Sequence, residues 1–265
     1  MTGWLIYSRE GAKRNGAFIE FWKNAASERG VSIRLMYTDE SLPTENPDFA
    51  VVRDMNPAYS KMLEDRGIRV FNPSSVSEIC NDKWNTYCLA EKLGVPYPTT
   101  EYIPDPSDMK AHPYPYVLKS CTGHGGTQVF MVRNDGEARV ASASLAGIPS
   151  VLQTPVSDLG KDLRIYVLGK KVIASMLRIS KTDFRSNFCL GGSAIPYQLT
   201  AHEQSIVDAF SDALPFGLVG IDLIFDHGKA VFNEIEDVVG CRMLYGLTDV
   251  KPVELYLSYI LDRLN

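Results

Sequence analysis

Three carboxylates interrupt two apolar runs near the end of the chain. Asp222 sits in Gly220-Ile221-Asp222-Leu223-Ile224-Phe225, and Glu234 and Glu236 sit in Ala230-Val231-Phe232-Asn233-Glu234-Ile235-Glu236-Asp237. An unpaired charge among Ile, Leu and Phe is expensive to bury, so Asp222 calls for a partner or a cation. Glu234 and Glu236 are two apart and point to one face of a strand. Carboxylate oxygens of this kind suit a hard divalent ion such as Mg2+, which usually shares its shell with substrate phosphates. A hairpin whose charges face water accounts for the same residues. The joining turn decides the register. A two-residue loop at His227-Gly228 would set Asp222 opposite Asn233 and turn Glu234 to the other face. A three-residue loop, Asp226-His227-Gly228 with Gly228 at positive φ, sets Asp222 opposite Phe232 and Gly220 opposite Glu234. All three acids then share a face, with a glycine leaving room for the ion, and we expect the three-residue loop.

Several cationic or donor-rich segments precede the hairpin. Asp82 caps a predicted helix that starts at Lys83, where the helix dipole disfavours a cation unless an anion sits between them; taken alone, a solvated lysine is the better reading. Lys119 ends the run Tyr116-Val117-Leu118 and precedes a loop containing Gly123, Gly125 and Gly126. Glycines let backbone N–H groups close on a phosphate, and a lysine supplies the neutralising charge. The spacing is not that of a Walker loop, and a plain hairpin with a flexible turn fits it too. Asp183-Phe184-Arg185-Ser186-Asn187, followed by Gly191-Gly192, is a loop suited to anionic oxygens. Arg53 and Asp54 follow a predicted strand end, where α/β sheets tend to place ligand contacts; from the residues alone an ordinary surface pair is the better reading.

These residues need elements to hold them. Trp4 to Tyr7, Val31 to Tyr37, Phe49 to Val52 and Ile68 to Phe71 read as strands, with helices around Phe18 to Ala26 and Tyr59 to Arg66. That order predicts a small α/β layer with a parallel sheet. Asn72-Pro73-Ser74-Ser75 reads as a turn-rich boundary. Beyond it, the helix from Lys83 stops at Gly94, a strand ends at Gln153-Thr154-Pro155-Val156, and Gly169-Lys170 joins two strands as a hairpin. A helix opening at Thr200 or His202 and a last one from Pro252 to Leu264 complete the pattern. A net charge of -5 argues against a nucleic-acid binder. Five scattered cysteines with no C-x-x-C pair fit a reducing compartment. With no signal pattern and no apolar run long enough for a membrane span, the expectation is a cytoplasmic protein.

Taken in order, these segments resemble the ATP-grasp superfamily. The marks are Asn81-Asp82-Lys83 opening a helix, Val117-Leu118-Lys119 before a glycine loop, Gln153 ending a strand, and Asp162-Leu163-Arg164. The Asp183-to-Asn187 segment, with Asp222 and Glu234 twelve residues apart, is similar to the RimK-like branch of amino-acid and peptide ligases. The resemblance covers about residues 75 to 250. It implies a mixed α/β and α+β fold: an N-terminal pre-ATP-grasp domain over residues 1–75, then an ATP-grasp domain over 76–265. Within the latter, subdomains at about 95–155 and 156–265 would clamp ATP.

The resemblance also implies roles. Lys83 and Lys119 would contact ATP phosphates beneath the loop carrying Gly123, Gly125 and Gly126. Gln153, Thr154 and Val156 would form the adenine hinge, with the Val156 N–H as donor because Pro155 has none. Asp162 would meet the ribose; Arg185, Ser186 and Asn187 would lie near the terminal phosphate and the intermediate; Arg164 would assist there or anchor substrate. Asp222, Glu234 and Glu236 would hold two Mg2+ ions, with Mn2+ as a substitute. The implied activity is an ADP-forming carboxylate–amine ligase acting on small-molecule or peptide acids and amines, without nucleic acid or membrane as partner. An ATP-grasp kinase and a non-catalytic ATP-binding regulator remain as alternatives, and no residue pattern sets an oligomeric state. The chain departs from the family in Glu236, where Glu-x-Asn is usual, in Asp237 to Arg242, where a serine-proline-glycine run is usual, and in Thr154-Pro155 at the hinge.

Overall fold

Short, nearly continuous apolar runs build the first sheet. In this computed structural model, which describes residues 1–180, 183–185 and 193–264, strands β1 (Thr2–Tyr7), β2 (Ser32–Tyr37), β3 (Phe49–Val52) and β4 (Arg69–Phe71) lie parallel in the order β2-β1-β3-β4. Leu5, Ile6, Phe49 and Ala50 are fully buried, as a parallel sheet with covered faces requires. Helices α1 (Arg9–Arg14), α2 (Gly16–Ser27) and α3 (Pro57–Asp65) connect the strands. The parallel sheet matches the sequence expectation. The boundary at residue 75 falls inside a further helix, α4 (Ser74–Cys80). Pro73 offers no capping side chain, and Glu64 takes over by accepting from the Ser74 N–H and hydroxyl.

Helix α5 (Lys83–Lys92) starts where expected, with the Asp82 side chain accepting from the Asn85 N–H. It leads to a four-stranded antiparallel sheet of β5 (Thr100–Ile103), β6 (Tyr116–Ser120), β7 (Val129–Val132) and β8 (Ser150–Gln153), in the order β5-β8-β6-β7. Helix α6 (Asp135–Ser144) packs on it through Ala141, with Leu145 beyond its end.

The third sheet holds β9 (Lys161–Leu168), β10 (Lys171–Ile179), β11 (Ser193–Pro196), β12 (Leu218–Asp226) and β13 (Lys229–Glu236), in the order β11-β10-β9-β12-β13. One face is apolar: Val219, Ile221, Leu223 and Phe225 share a cluster with Ile206, Val207 and Phe210 of α7 (Ala201–Ala213). The capping box between Thr200 and Glu203 starts that helix. Helices α8 (Arg242–Leu247) and α9 (Pro252–Leu264) return the chain to the first sheet, where Tyr256 meets Trp22 edge-on at 5.7 Å. Asn72 fastens the two parts together. Its amide donates to the Leu218 and Asp237 carbonyls, both at 3.0 Å, and its oxygen accepts from the Gly217 N–H at 2.7 Å.

The register of the acidic hairpin differs from expectation. The loop has two residues, His227 (φ 49°) and Gly228 (φ 73°), flanked by the pair Asp226 and Lys229. Positive φ at both positions is the type I′ geometry whose twist suits a hairpin. Asp222 nonetheless lies opposite Glu234, and Gly220 opposite Glu236, because Asn233 forms a β-bulge that shifts the register by one residue. The shared face of the acids is thus made by a bulge, not by a longer turn. Gly220 makes room for protein rather than for an ion: a Cβ there would stand 2.6 Å from Val239 Cγ2 and 3.2 Å from Arg164 Cδ. The β9–β10 hairpin carries a matching bulge at Ile173, which brings Arg178 opposite Asp162.

Candidate active site

The two bulges place a charged layer on the inner face of the third sheet. Asp222 has Arg164 of β9 on one side and Glu234 of β13 on the other. Arg164 donates from Nε and Nη2 to the two Asp222 oxygens, and from Nη1 and Nη2 to Glu236 at 2.8 and 2.9 Å. Arg178 spans Asp162 and Asp222 in the same manner. Burial pushes the Asp222 carboxyl up, but the two guanidiniums outweigh it and hold the group below its ordinary value. Burial likewise pushes Glu234 up, and Lys83, Lys119 and Arg164 together outweigh it, leaving the group lowered. For Glu236 burial prevails over Arg164 and the group is raised.

Oxygens of Asp222, Glu234 and Glu236 lie within 4.8 Å of one another. Each carboxylate has about four acceptor positions, and the arginines leave some free on every one. Glu234 is the least committed, with a single cationic contact to Lys83 Nζ at 3.2 Å. Among the described residues this layer sets four carboxylates against the cations Arg164, Arg178 and Lys83. Hard donors with residual negative charge fit a divalent cation.

A concave cleft opens beside this layer, the setting in which small-molecule sites are found. Lys83, Lys119, Gly123, Gly125, Gly126, Gln153, Thr154, Val156, Asp162, Arg185 and Glu234 all line it, so distant sequence segments converge there. Val117, Leu159 and Ile224 add apolar wall. Lys119 is buried, donating to the Tyr87 hydroxyl at 2.8 Å and to Asn233 Oδ1 at 3.0 Å. Both partners are neutral, and burial pushes the ammonium down to about 7. Lys83 reaches across to the Gly123 carbonyl. Gly125 (φ 65°) and Gly126 (φ 74°) use backbone open mainly to glycine. Arg185 ties this loop to the opposite rim, donating to the Gly126 carbonyl and to Asp183 at 3.0 and 2.7 Å. At the end of β8, the Val156 N–H and Thr154 carbonyl make no backbone hydrogen bond among the described residues.

Ser186 and Asn187 lie outside the described residues, and three further expected site residues are placed otherwise. Arg164 is buried behind the carboxylates, its guanidinium given to Asp222 and Glu236, and it lines neither the cleft nor its neighbour. Glu236 faces a second cavity, which shares Lys83, Gly123, His124, Gly125 and Glu234 with the cleft. Asp162 borders the cleft with both carboxylate oxygens held by Arg178. Sequence reasoning missed Arg178, Asn233 and Tyr87. An arginine two residues beyond Met176 in a strand was a readable sign, whereas Asn233 enters the site only through its bulge.

A cleft between two sheets, with buried lysines on one wall and carboxylates on the other, defines an ATP-grasp enzyme of the carboxylate–amine ligase class. The RimK-like ATP-grasp domain matches residues 80–251, and the chain belongs to that family. The probable alpha-L-glutamate ligase of Xanthomonas axonopodis pv. citri (strain 306) is 29% identical over 210 residues, covering 76% of this chain and 71% of that protein. Human N-acetylaspartylglutamate synthase A is 34% identical over 218 residues, covering 74% of this chain and 55% of that protein. The RimK domain ATP-grasp protein of Sphaerobacter thermophilus DSM 20745 shares the fold at a TM-score of 0.76 and 16% identity, over 98% of this chain and all of that one. ATP and a divalent metal are the reactants' common requirement in this family. Among the described residues no helix is long and apolar enough to cross a membrane.

Proposed function

We propose that the cleft binds ATP with Mg2+ and that the enzyme joins the carboxylate of a small molecule or peptide to the amine of an amino acid. Glutamate is the first candidate, because both curated relatives carry it in their names. A carboxylate oxygen attacks the terminal phosphorus and ADP leaves. The amine then attacks the acyl carbon, loses a proton, and phosphate departs. Residues 1–75 form the pre-ATP-grasp part, and the sheets near 95–155 and 156–265 close on the nucleotide.

The convergence of Lys83, Lys119, Arg185 and Glu234 on one cleft, with Asp222 and Glu236 beside Glu234 in the same charged layer, carries this reading. Among the described residues Lys119 hydrogen-bonds only neutral groups, and burial outweighs the Glu234 carboxylate nearby, so a triphosphate adds the direct counter-charge that the buried ammonium calls for. Lys83 and Arg185 flank the glycine loop and hold it over the phosphates. The Val156 N–H and Thr154 carbonyl pair with the adenine edge, and the apolar wall takes its faces. Glu234, Asp222 and Glu236 hold the metal, which when bound offsets charge on the transferring phosphoryl group. Arg164 and Arg178 act as positioning residues: they align the acids and favour the ionised form of Asp222 in its buried position. No side-chain nucleophile is required, since positioning and charge neutralisation supply the catalysis.

An ADP-release screen across amino acids and short peptides, with Mg2+, tests the proposal. Amine-dependent ADP formation that disappears in Glu234→Gln is the expected result. ADP formation unchanged in that variant would sink the assignment.

A further inference from the structure

Arg53 follows β3 at the carboxyl end of the parallel sheet, beside Tyr7 at the end of β1. Its Nη2 donates to the Val239 carbonyl at 2.8 Å, and the guanidinium lies over the Phe18 ring at 5.2 Å. Among the described residues it has no carboxylate within ion-pair distance. Its buried Nε has no acceptor, and the hydroxyls of Tyr7 and Tyr256 are also buried without partners. Tyr7, Tyr256 and Asp237 feel its charge, but none makes a hydrogen bond to it of good geometry. A half-buried fork of donors facing two idle hydroxyls is costly unless an anion completes it.

The position says which anion. Val239 stands three residues beyond Glu236, at most about 10 Å of extended chain. Val238, next to Val239, and Met55, two residues from Arg53, line the second cavity together with Lys83, Glu234 and Glu236. The cavity thus joins the carboxylates to residues that neighbour Arg53 and Val239 in the chain. Resting on the ligase reading above, we propose that Arg53, with Tyr7, binds a carboxylate that survives the reaction. The substrate in this cavity carries a free carboxylate besides its reacting group: the α-carboxylate of an amino acid, or the second carboxylate of a dicarboxylic acid. A planar fork meeting a carboxylate in two places gives both affinity and orientation.

Calorimetry on the protein saturated with AMP-PNP and Mg2+ tests this with L-glutamate, L-glutamine, L-isoglutamine, glutarate and the remaining common amino acids. At least one free acid should bind. Amidation at one carboxylate should weaken it about 10- to 100-fold, the range of one charge-assisted pair. Isoglutamine against glutamine tells the α-carboxylate from the side-chain one. In Arg53→Met the acid and its amide should bind within about twofold of each other. Tyr7→Phe, a change that removes only a hydroxyl, should narrow the difference in part. Wild-type binding that ignores amidation, discrimination that persists in folded Arg53→Met, or no acid binding at all would overturn the proposal. AMP-PNP titrated first separates the two readings: its failure to bind sinks the ligase assignment, whereas nucleotide binding without carboxylate discrimination sinks only this inference.

Discussion

Replacing Asp222 by Asn should harm the fold as well as the chemistry, whereas Glu234→Gln should harm only the chemistry. Asp222 is buried and accepts from both Arg164 and Arg178. The amide keeps one acceptor oxygen but removes the charge that two desolvated guanidiniums share. Breaking a buried pair in this way costs about 3–5 kcal/mol, a large part of a typical 5–15 kcal/mol stability. At about 2–4 °C per kcal/mol for a chain of this size, the melting temperature should fall by roughly 6–20 °C. Glu234 has one cationic contact at 3.2 Å and a side chain 21% exposed, so its amide should cost about 1 kcal/mol or less. Thermal melts followed by circular dichroism, beside ADP release, separate the two effects. Both variants should lose turnover. An Asp222→Asn melt matching wild type would refute the view that the arginines are held by this acid.

Other consequences follow from Lys119 and Gly220. With the folded pKa near 7 and the ordinary value at 10.5, the unfolded chain binds more protons between those limits, so this group makes ligand-free stability rise with pH across that window. The wild-type gain, measured against Lys119→Met, should vanish below about pH 7. At pH 8, binding AMP-PNP should reprotonate the lysine and take up about one proton, read as a binding heat that changes with the buffer's ionisation enthalpy; a buffer-independent heat contradicts it. Gly220→Ala should destabilise by about 1–3 kcal/mol, since its Cβ would meet Val239 at 2.6 Å, and a melt unchanged from wild type would show that wall to be loose. Asn72→Ala removes three hydrogen bonds between the first and third sheets and should cost about 2–4 kcal/mol in a urea melt.

Much of the site was legible because its chemistry demands unusual residues. Acids inside apolar strands, a lysine in a helix's first turn and a lysine before a glycine loop all violate local expectation; Glu234, Lys83 and Lys119 converge on the cleft, and Asp222 and Glu236 lie beside Glu234. The register was not legible. Both hairpins use two-residue turns followed by a bulge, at Ile173 and Asn233, and neither residue is a glycine that would mark the site. A bulge is set by what the strand must align across the sheet, here Asp162 with Arg178 and Asp222 with Glu234. For the same reason Arg164 read as a substrate contact: only the pairing reveals that both its donor edges are spent on acids. The substitution at Glu236, an added charge when seen in sequence, is matched in the structure by the arginine fork that faces it.

The central claim is that a carboxylate is activated by ATP and then captured by an amine. With an acid substrate labelled with 18O in both carboxylate oxygens, one label should appear in the released phosphate and one in the amide. ADP, phosphate and amide should form in equal amounts. Phosphate free of label, or a phosphorylated product that accumulates regardless of amine, would contradict the account.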